Sequence, residues 1–409
     1  MKTKENKLYT RHHMLQGWAQ DLIKDSSVFM IGVGALGCEI AKNLALVGIG
    51  KMYLCDVDTI ETSNLSRQML FKPGDEGRGK AEVGAERIKE LNPFMEVEYF
   101  NQFLQEIPMK YYDDSDLIIG GLDNIRARLD LNDICLRLKK PLIDSGTLGY
   151  EGHVQIVIPP GIDGFEATPC LRCLMPIPPT DEKLVAACTP KGIPQKREHC
   201  ALKAEYEFGK KYNRRPDFDN DDDIAILVEY ANKFVEEYKF PPKFDPQDME
   251  NVIKNKMPAI QTTTAVIASI QSHEILKILH KLKGYDIGPI MNPPYINYNG
   301  FYGIFEQIEV ARWDECPACG KGIDLRRIEI EPAAIILTLF DQLKYAGFDL
   351  DPDQTLITKE LTKKVVWNPY VPKLKDPNKT VEDSGIQDHD LLMCSVPNQE
   401  SVRILVAFI

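Results

Sequence analysis

No apolar run in this sequence approaches the ~18–20 residues that a membrane-spanning helix needs. The stretch Ala333–Phe340 is eight residues long and includes a threonine, so no membrane partner is expected. Basic residues are not in excess either: 49 Lys and Arg face 61 Asp and Glu, a formal charge of −12. That balance argues against a broad phosphate-binding surface, and so against nucleic acid as the main partner. Ten cysteines in 409 residues are too sparse for a disulfide scaffold. The N-terminal stretch Met1–Lys7 is polar, unlike a signal peptide, and no internal repeat or low-complexity tract interrupts the chain. What is present is an ordinary globular mix, 44% hydrophobic and 27% charged. At about 100–200 residues per domain, the length suggests roughly two to four domains. The expectation is a cytoplasmic protein in a reducing compartment, with unevenly placed cysteines that need separate explanations.

Strand and helix patterns alternate over the first 160 residues. Val28–Ile31, Lys51–Cys55, Met95–Phe100, Leu117–Ile119 and Pro141–Ile143 read as strands separated by helical stretches. That alternation predicts a Rossmann-like α/β domain, a parallel sheet with helices on both faces. Residues from about 175 to 255 are Pro-rich at first and then highly charged, and read as a mainly helical insertion. Their acidic run Asp219–Asp223 lacks the glycine and distal glutamate of an EF-hand loop, so a solvated turn is expected. An apolar helix over Ala259–Leu282 and strands near Tyr295–Tyr298 and Gly303–Ile308 resume the core. Beyond Cys319, strands at Arg327–Ile330, Thr355–Thr358, Val365–Trp367, Leu391–Cys394 and Val402–Ile409 surround a helical stretch, Ala333–Tyr345. A small sheet crossed by one helix is a β-grasp-like arrangement.

Gly32-Val-Gly34-Ala-Leu-Gly37 follows the first strand and opens a helix. Backbone N–H groups and the helix dipole are thereby aimed at a phosphate. Asp56, 22 residues after Gly34 and at the end of the next strand, is placed for a ribose hydroxyl. Those two features alone favour a dinucleotide dehydrogenase. A second glycine run, Gly74-Asp-Glu-Gly-Arg-Gly79-Lys80, has the spacing of a Walker A loop. Position 81 is alanine, however, so the hydroxyl that would hold Mg²⁺ is missing, and no clear strand precedes the run. The decisive set lies between the strands: Asp58, Asn64, Arg67, Gln68, Lys80, and then Asp123-Asn124 after a strand. Asn64, Arg67 and Lys80 offer donors to a triphosphate. Asp123 offers a hard oxygen to Mg²⁺ at a strand's C-terminal end, where doubly wound folds hold ligands. Hydride transfer needs neither so many cations nor a metal carboxylate.

Gly32–Gly37, Asp56-Val-Asp58, Ser63-Asn-Leu-Ser-Arg-Gln68, Lys80-Ala-Glu and Leu122-Asp-Asn124-x-x-Ala127-Arg128 together resemble the MoeB/ThiF-type adenylation fold. Members of that family activate the C-terminal glycine of β-grasp proteins. The resemblance implies that Asp56 binds the ATP ribose, that Asn64, Arg67 and Lys80 hold phosphates, and that Asp123 binds Mg²⁺. Gly32, Gly34, Gly37, Asp58, Gln68 and Asn124 complete the nucleotide set.

Cys170-Leu-Arg-Cys173 and Cys316-Pro-Ala-Cys319 are two knuckle-type pairs, and four thiolates close a tetrahedral zinc site. The 142 residues between them exceed any local zinc ribbon, so the fold must bring the pairs together. A redox dithiol is the alternative for either pair. The adenylating family often carries the same four-cysteine zinc. Cys38, Cys55, Cys135 and Cys394 read as small buried hydrophobes. Cys188 and Cys200 remain, with Lys191, Lys196 and Arg197 nearby to lower a thiol pKa. The stretch from Cys188-Thr-Pro through Pro194 to Glu198-His-Cys200 resembles the catalytic-cysteine segment of ubiquitin-like activating enzymes, closest to the catalytic subunit of the neddylation type. On that resemblance Cys188 takes the modifier from AMP as a thioester, with Cys200 as the runner-up.

The resemblance then covers nearly the whole chain. It implies an adenylation domain over 1–174 and 257–326, a catalytic-cysteine domain over 175–256, and a ubiquitin-fold domain over 327–409 that recruits a conjugating enzyme. Leu8-Tyr-Thr-Arg11-His12 resembles an N-terminal segment whose arginine reaches the partner protomer's ATP, although His12 stands where that segment has glutamine. The neddylation-type catalytic subunit generally lacks this segment. Arg11 beside a full ATP set therefore suggests a homodimer, with a heterodimer as the other possibility. Two further readings are a sulfur-carrier adenylyltransferase of cofactor synthesis and a non-catalytic regulatory partner. The insertion and C-terminal domain count against the first, and Asp123, Arg67 and Lys80 against the second.

Overall fold

The computed structural model describes residues 7–175, 194, 197–212, 214, 216–218, 220–253, 259–320, 326–397, 399 and 401–409. The chain divides into two compact units, Met1–Leu174 with Ile260–Ile409, and Met175–Ala259. Among the described residues no helix is long and apolar enough to cross a membrane.

The larger unit is built on an eight-stranded sheet of order β3-β2-β1-β4-β5-β6-β7-β8. Its strands are β1 Ser27–Ile31, β2 Lys51–Cys55, β3 Glu96–Phe100, β4 Leu117–Gly120, β5 Leu142–Leu148, β6 Glu151–Val157, β7 Tyr295–Asn299 and β8 Ile304–Gln307. The first five pair in parallel. Strands buried on both faces read as unbroken apolar runs, as Val28–Ile31 and Leu117–Ile119 do. Helices α1 (Ala35–Val47), α2 (Lys80–Leu91) and α3 (Ile125–Arg137) are the crossovers, and α7 (Gln261–Leu282) lies against α1 and β5. Chain order reverses between β1 and β4, the place where open α/β sheets take ligands at the strands' C-terminal ends.

The sheet departs from an all-parallel expectation at β6. Leu148 pairs with Glu151, which leaves a two-residue turn at Gly149-Tyr150. Gly149 has φ +58, and so tight a connection permits only an antiparallel partner. β7 and β8 continue antiparallel from there.

The same unit carries a second, five-stranded sheet, β11-β10-β12-β13-β9. Its strands are β9 Arg326–Ile330, β10 Leu356–Lys359, β11 Val365–Trp367, β12 Leu391–Ser395 and β13 Val402–Phe408, with helix α8 Leu337–Tyr345 on one face. β9 and β13 run parallel and the other pairs antiparallel, the β-grasp pattern. Ile328, Leu339, Phe340, Trp367 and Ile404 form its own apolar core. The helix starts at Leu337 and not at Ala333, because the preceding backbone is used elsewhere: Ile335 bridges to Thr380, and Ile336 N–H donates to Lys379 O at 2.8 Å.

The smaller unit is helical over its described part, with α4 Arg197–Tyr212, α5 Asp221–Tyr238 and α6 Pro246–Ile253. Ala204, Phe208, Leu227, Ala231 and Met249 fill the space between them. The acidic run opens α5. Asn220 Oδ1 accepts the N–H of Asp222 at 2.9 Å and so caps the helix, and Arg214 holds Asp223. The Arg214 guanidinium keeps that carboxyl down at about 2. Asp221–Asp223 in the first turn suit the positive end of a helix without any bound cation.

Candidate functional site

Three glycines follow β1, and their surroundings differ. Gly32 has φ +96, and a Cβ there would lie 2.5 Å from Gly121 O, so the loops after β1 and β4 touch backbone to backbone. A Cβ on Gly37 would sit 2.1 Å from Gly32 O, so only glycine lets the first turn of α1 lie against the loop. Gly34, at the N-cap of α1, would meet nothing within 4 Å. Its bare backbone faces an open cradle at the helix's positive end, the geometry that admits a phosphate.

Asp56 follows β2 directly and is turned toward this loop. It accepts the Val33 N–H at 2.7 Å through Oδ2 and the Asp58 N–H at 2.9 Å through Oδ1. Burial pushes its carboxyl up, against the pull of Lys80 and those two N–H groups. Lys80, the first residue of α2, is 8% exposed, and its Nζ donates to Asp58 Oδ2 at 2.8 Å. Asp58 itself is more than half exposed, so the ammonium points at the mouth of the cleft. A short helical turn, Thr62–Ser66, carries the next donors. Asn64 is buried, and its Oδ1 accepts the Glu61 N–H at 3.0 Å, which leaves the amide NH₂ as the free end. Arg67 is half-buried and steadied by Ser63 O at 2.8 Å. Gln68 is buried, and its Oε1 has no partner, a polar atom left over beside the donor set.

Asp123 and Asn124 lie exposed between β4 and α3, where Asn124 Oδ1 caps the helix by accepting the Ala127 N–H at 2.8 Å. An exposed carboxylate at a strand's C-terminal end is a fitting hard-oxygen ligand for Mg²⁺. Behind it stands a buried polar cluster that sequence reasoning missed. Arg128 donates to Leu122 O and to Asp144 Oδ2, both at 2.6 Å, and so anchors the residue before Asp123. Gln271 of α7 spans Gly120 O and Ile143 O at 3.3 and 2.8 Å. Burial, with Arg128 adjacent, holds His153 down at about 4, well below the ordinary imidazole value. Burial also raises Asp144, against the pull of Arg128. Only Arg128 lay within a recognisable sequence run; its partners come from β5, β6 and α7.

Arg11 is exposed and lies away from this cleft. Tyr9 fixes its segment: a Cβ on Gly48 would be 2.5 Å from the tyrosine ring, and the phenol accepts from Asn92 Nδ2 at 3.1 Å. His12 stacks on Tyr9 with ring centroids 5.6 Å apart. Gly48 and Asn92 are the C-caps of α1 and α2, whereas Gly34 and Lys80 begin those helices. At 1.5 Å per residue the two ends are about 20 Å apart, too far for Arg11 to reach its own chain's cradle.

The two cysteine pairs meet. Sγ–Sγ distances are 3.9 Å for Cys170–Cys173, 3.7 Å for Cys170–Cys316 and 3.5 Å for Cys173–Cys319. All four sulfurs fall within 4.8 Å of one another, a spacing that four ligands around one tetrahedral ion require. Hydrogen bonds from the neighbouring thiols, Cys170 first, pull the Cys319 thiol down. Cys38, Cys55, Cys135 and Cys394 are buried, and desolvation pushes their thiols up, to about 12 for Cys38, Cys55 and Cys394. Cys188 lies outside the described residues. Cys200 is fully buried in α4.

The profile of the ThiF family matches residues 9–318. The NEDD8-activating enzyme E1 catalytic subunit of Arabidopsis thaliana is 30% identical over 80% of this chain and 72% of its own. The protein of the same name from Dictyostelium discoideum is 31% identical over 79% and 74%. That from Caenorhabditis elegans is 29% identical over 90% and 85%.

Proposed function

The chain belongs to the ThiF family, and from that premise we propose that it is an ATP-dependent activating enzyme for a ubiquitin-like protein. The observation that carries the reading is the open cradle over Gly34, bordered by Asp56 and by the Lys80–Asp58 pair. Asp56 holds the ribose, the backbone at Gly34 and the start of α1 take phosphate, and Asn64, Arg67 and Lys80 spread its charge. Asp123 would hold Mg²⁺, which neutralises triphosphate charge when bound. The modifier's C-terminal carboxylate attacks the α-phosphate, and pyrophosphate leaves. Cys188 thiolate then attacks the acyl-adenylate, forming the thioester and releasing AMP. The thioester passes to a conjugating enzyme docked on residues 327–409. The four clustered cysteines hold a structural zinc.

At the antiparallel end of the sheet Tyr150, Phe301, Tyr302, Ile304 and Phe305 are all more than half exposed. Patches of this kind mark protein-binding faces, and we assign this one to the modifier. Arg11, a helix length from its own cradle, serves a second protomer's nucleotide. Relatives named as catalytic subunits make a different second chain an equal candidate with a second copy.

The test mixes the chain with candidate modifiers and ATP on non-reducing gels. A thiol-sensitive adduct is expected, lost in Cys188→Ala, while pyrophosphate exchange survives in that variant and disappears in Asp123→Ala. Adduct retained in Cys188→Ala but lost in Cys200→Ala would move the nucleophile. Exchange retained in Asp123→Ala would refute its metal role.

A further inference from the structure

The glycine run from Gly74 to Lys80 is not a phosphate loop, yet it has an organised structure. Gly74 and Gly77 sit at φ +100 and +82, and no atom would crowd a Cβ at either, so these two glycines serve backbone shape. Gly79 is different: a Cβ there would lie 2.7 Å from the Asn101 amide. The centre of the loop is Asp75, 6% exposed. Its carboxylate accepts the Lys72 N–H at 2.9 Å and takes Arg87 Nη2 on both oxygens at 3.1 Å. Arg87 lies two turns into α2, so this pair pins the loop onto the helix that begins with Lys80.

The far side of the loop is stitched to the segment bearing Asp58. Gly77 N–H donates to Ile60 O at 2.8 Å, Ile60 N–H to Arg78 O at 2.9 Å and Lys80 N–H to Asp58 O at 3.0 Å. Thr59 and Gly79 form an antiparallel bridge there. Arg78 adds Glu82 and Glu86 at 2.8 and 2.7 Å. Those outer pairs are more exposed and contribute less; the pair beneath them is almost enclosed, with side-chain exposures of 9% for Asp75 and 17% for Arg87.

We propose that Asp75 and Arg87 are positioning residues that fix the loop and the start of α2 so that Lys80 is aimed at the nucleotide's phosphates. The inference rests on the reading of Lys80 as a phosphate ligand. It gives the Walker-like run of glycines a role other than cradling a phosphate: the loop holds the lysine, and α1 provides the cradle. Arg87 holds Asp75 through Nη2 while its Nη1 donates to Glu90 at 3.0 Å, so the guanidinium is fixed at two points and restrains the loop more tightly than a single apolar contact would.

The test measures the affinity for ATP by calorimetry in Asp75→Asn, Lys80→Ala and the double variant, with a melting temperature for each. Asp75→Asn is expected to weaken ATP about tenfold, and to add nothing further when Lys80 is already alanine, because a residue acting through another loses its effect with it. A loop with a merely structural role would lower the melting temperature of Asp75→Asn and leave ATP affinity unchanged, which overturns the proposal. Full additivity of the two substitutions overturns it as well. If Lys80→Ala alone leaves ATP affinity intact, the phosphate reading of Lys80 is what fails. Arg87→Gln repeats the measurement from the other side of the pair, and must match Asp75→Asn.

Discussion

Gly34→Ala should separate nucleotide binding from folding in this protein. Gly34 has φ −79 and ψ −154, which an alanine can adopt, and an added Cβ meets no atom within 4 Å. Two small effects on stability then oppose each other. Alanine is a poorer N-cap than glycine, and it also reduces the freedom of the unfolded chain; each is worth roughly 0.5–1 kcal/mol. The melting temperature should therefore move by no more than about 3 °C. The methyl group, however, stands in the cradle and holds a phosphate off the N–H groups at the start of α1. Losing one or two charge-assisted hydrogen bonds at about 1.5–3 kcal/mol each weakens ATP by roughly 100-fold. Gly37→Ala is the control. Its Cβ would be 2.1 Å from the Gly32 carbonyl oxygen, a clash with backbone that no rotamer relieves, costing about 3 kcal/mol or more. Calorimetric titration with ATP beside thermal melts reads both quantities. Unchanged ATP affinity in a folded Gly34→Ala protein would place the phosphates elsewhere and refute the cradle.

Metal analysis of the freshly purified chain should find zinc, lost together with several degrees of melting temperature on chelation and in Cys170→Ala; a metal-free chain with a chelator-insensitive melt would exclude the site. His153 predicts an acid-side loss of stability. Its folded pKa of about 4 lies below the ordinary 6.5, so the unfolded chain binds the proton first as pH falls. The neutral residue's full contribution is present above pH 6.5 and drains away toward pH 4, by about 3 kcal/mol at 1.36 kcal/mol per unit. His153→Gln should flatten the melting curve across that window, and an unaltered pH dependence would contradict the burial argument. Phe301→Asp should suppress pyrophosphate exchange by raising the modifier concentration it needs, with ATP affinity unchanged; weakened ATP binding would show that the aromatic face supports the nucleotide cleft instead.

The sequence by itself determined what is local. The apolar runs that became β1, β2 and β4, the glycines after β1, the acid at the end of β2 and the paired cysteines all lie within a few residues of the feature they specify. Short-range sterics and hydrogen bonding are therefore enough to read them. The same holds for the first C-terminal strand, where the alternation of Arg327-Ile-Glu-Ile330 marks the buried face. Only the tertiary structure decided the rest. It brought Cys170 and Cys173 to Cys316 and Cys319, and it carried Arg11 to the opposite end of α1 from Gly34. It also assembled Arg128, Asp144, His153 and Gln271 from four elements, and gave the misleading glycine run its role through Arg87. The physical reason is shared by the cysteines and the buried charges. A buried charge or a metal thiolate is tolerable only with its partner in place, and that partner is chosen by the packing of elements, which distance along the chain does not encode.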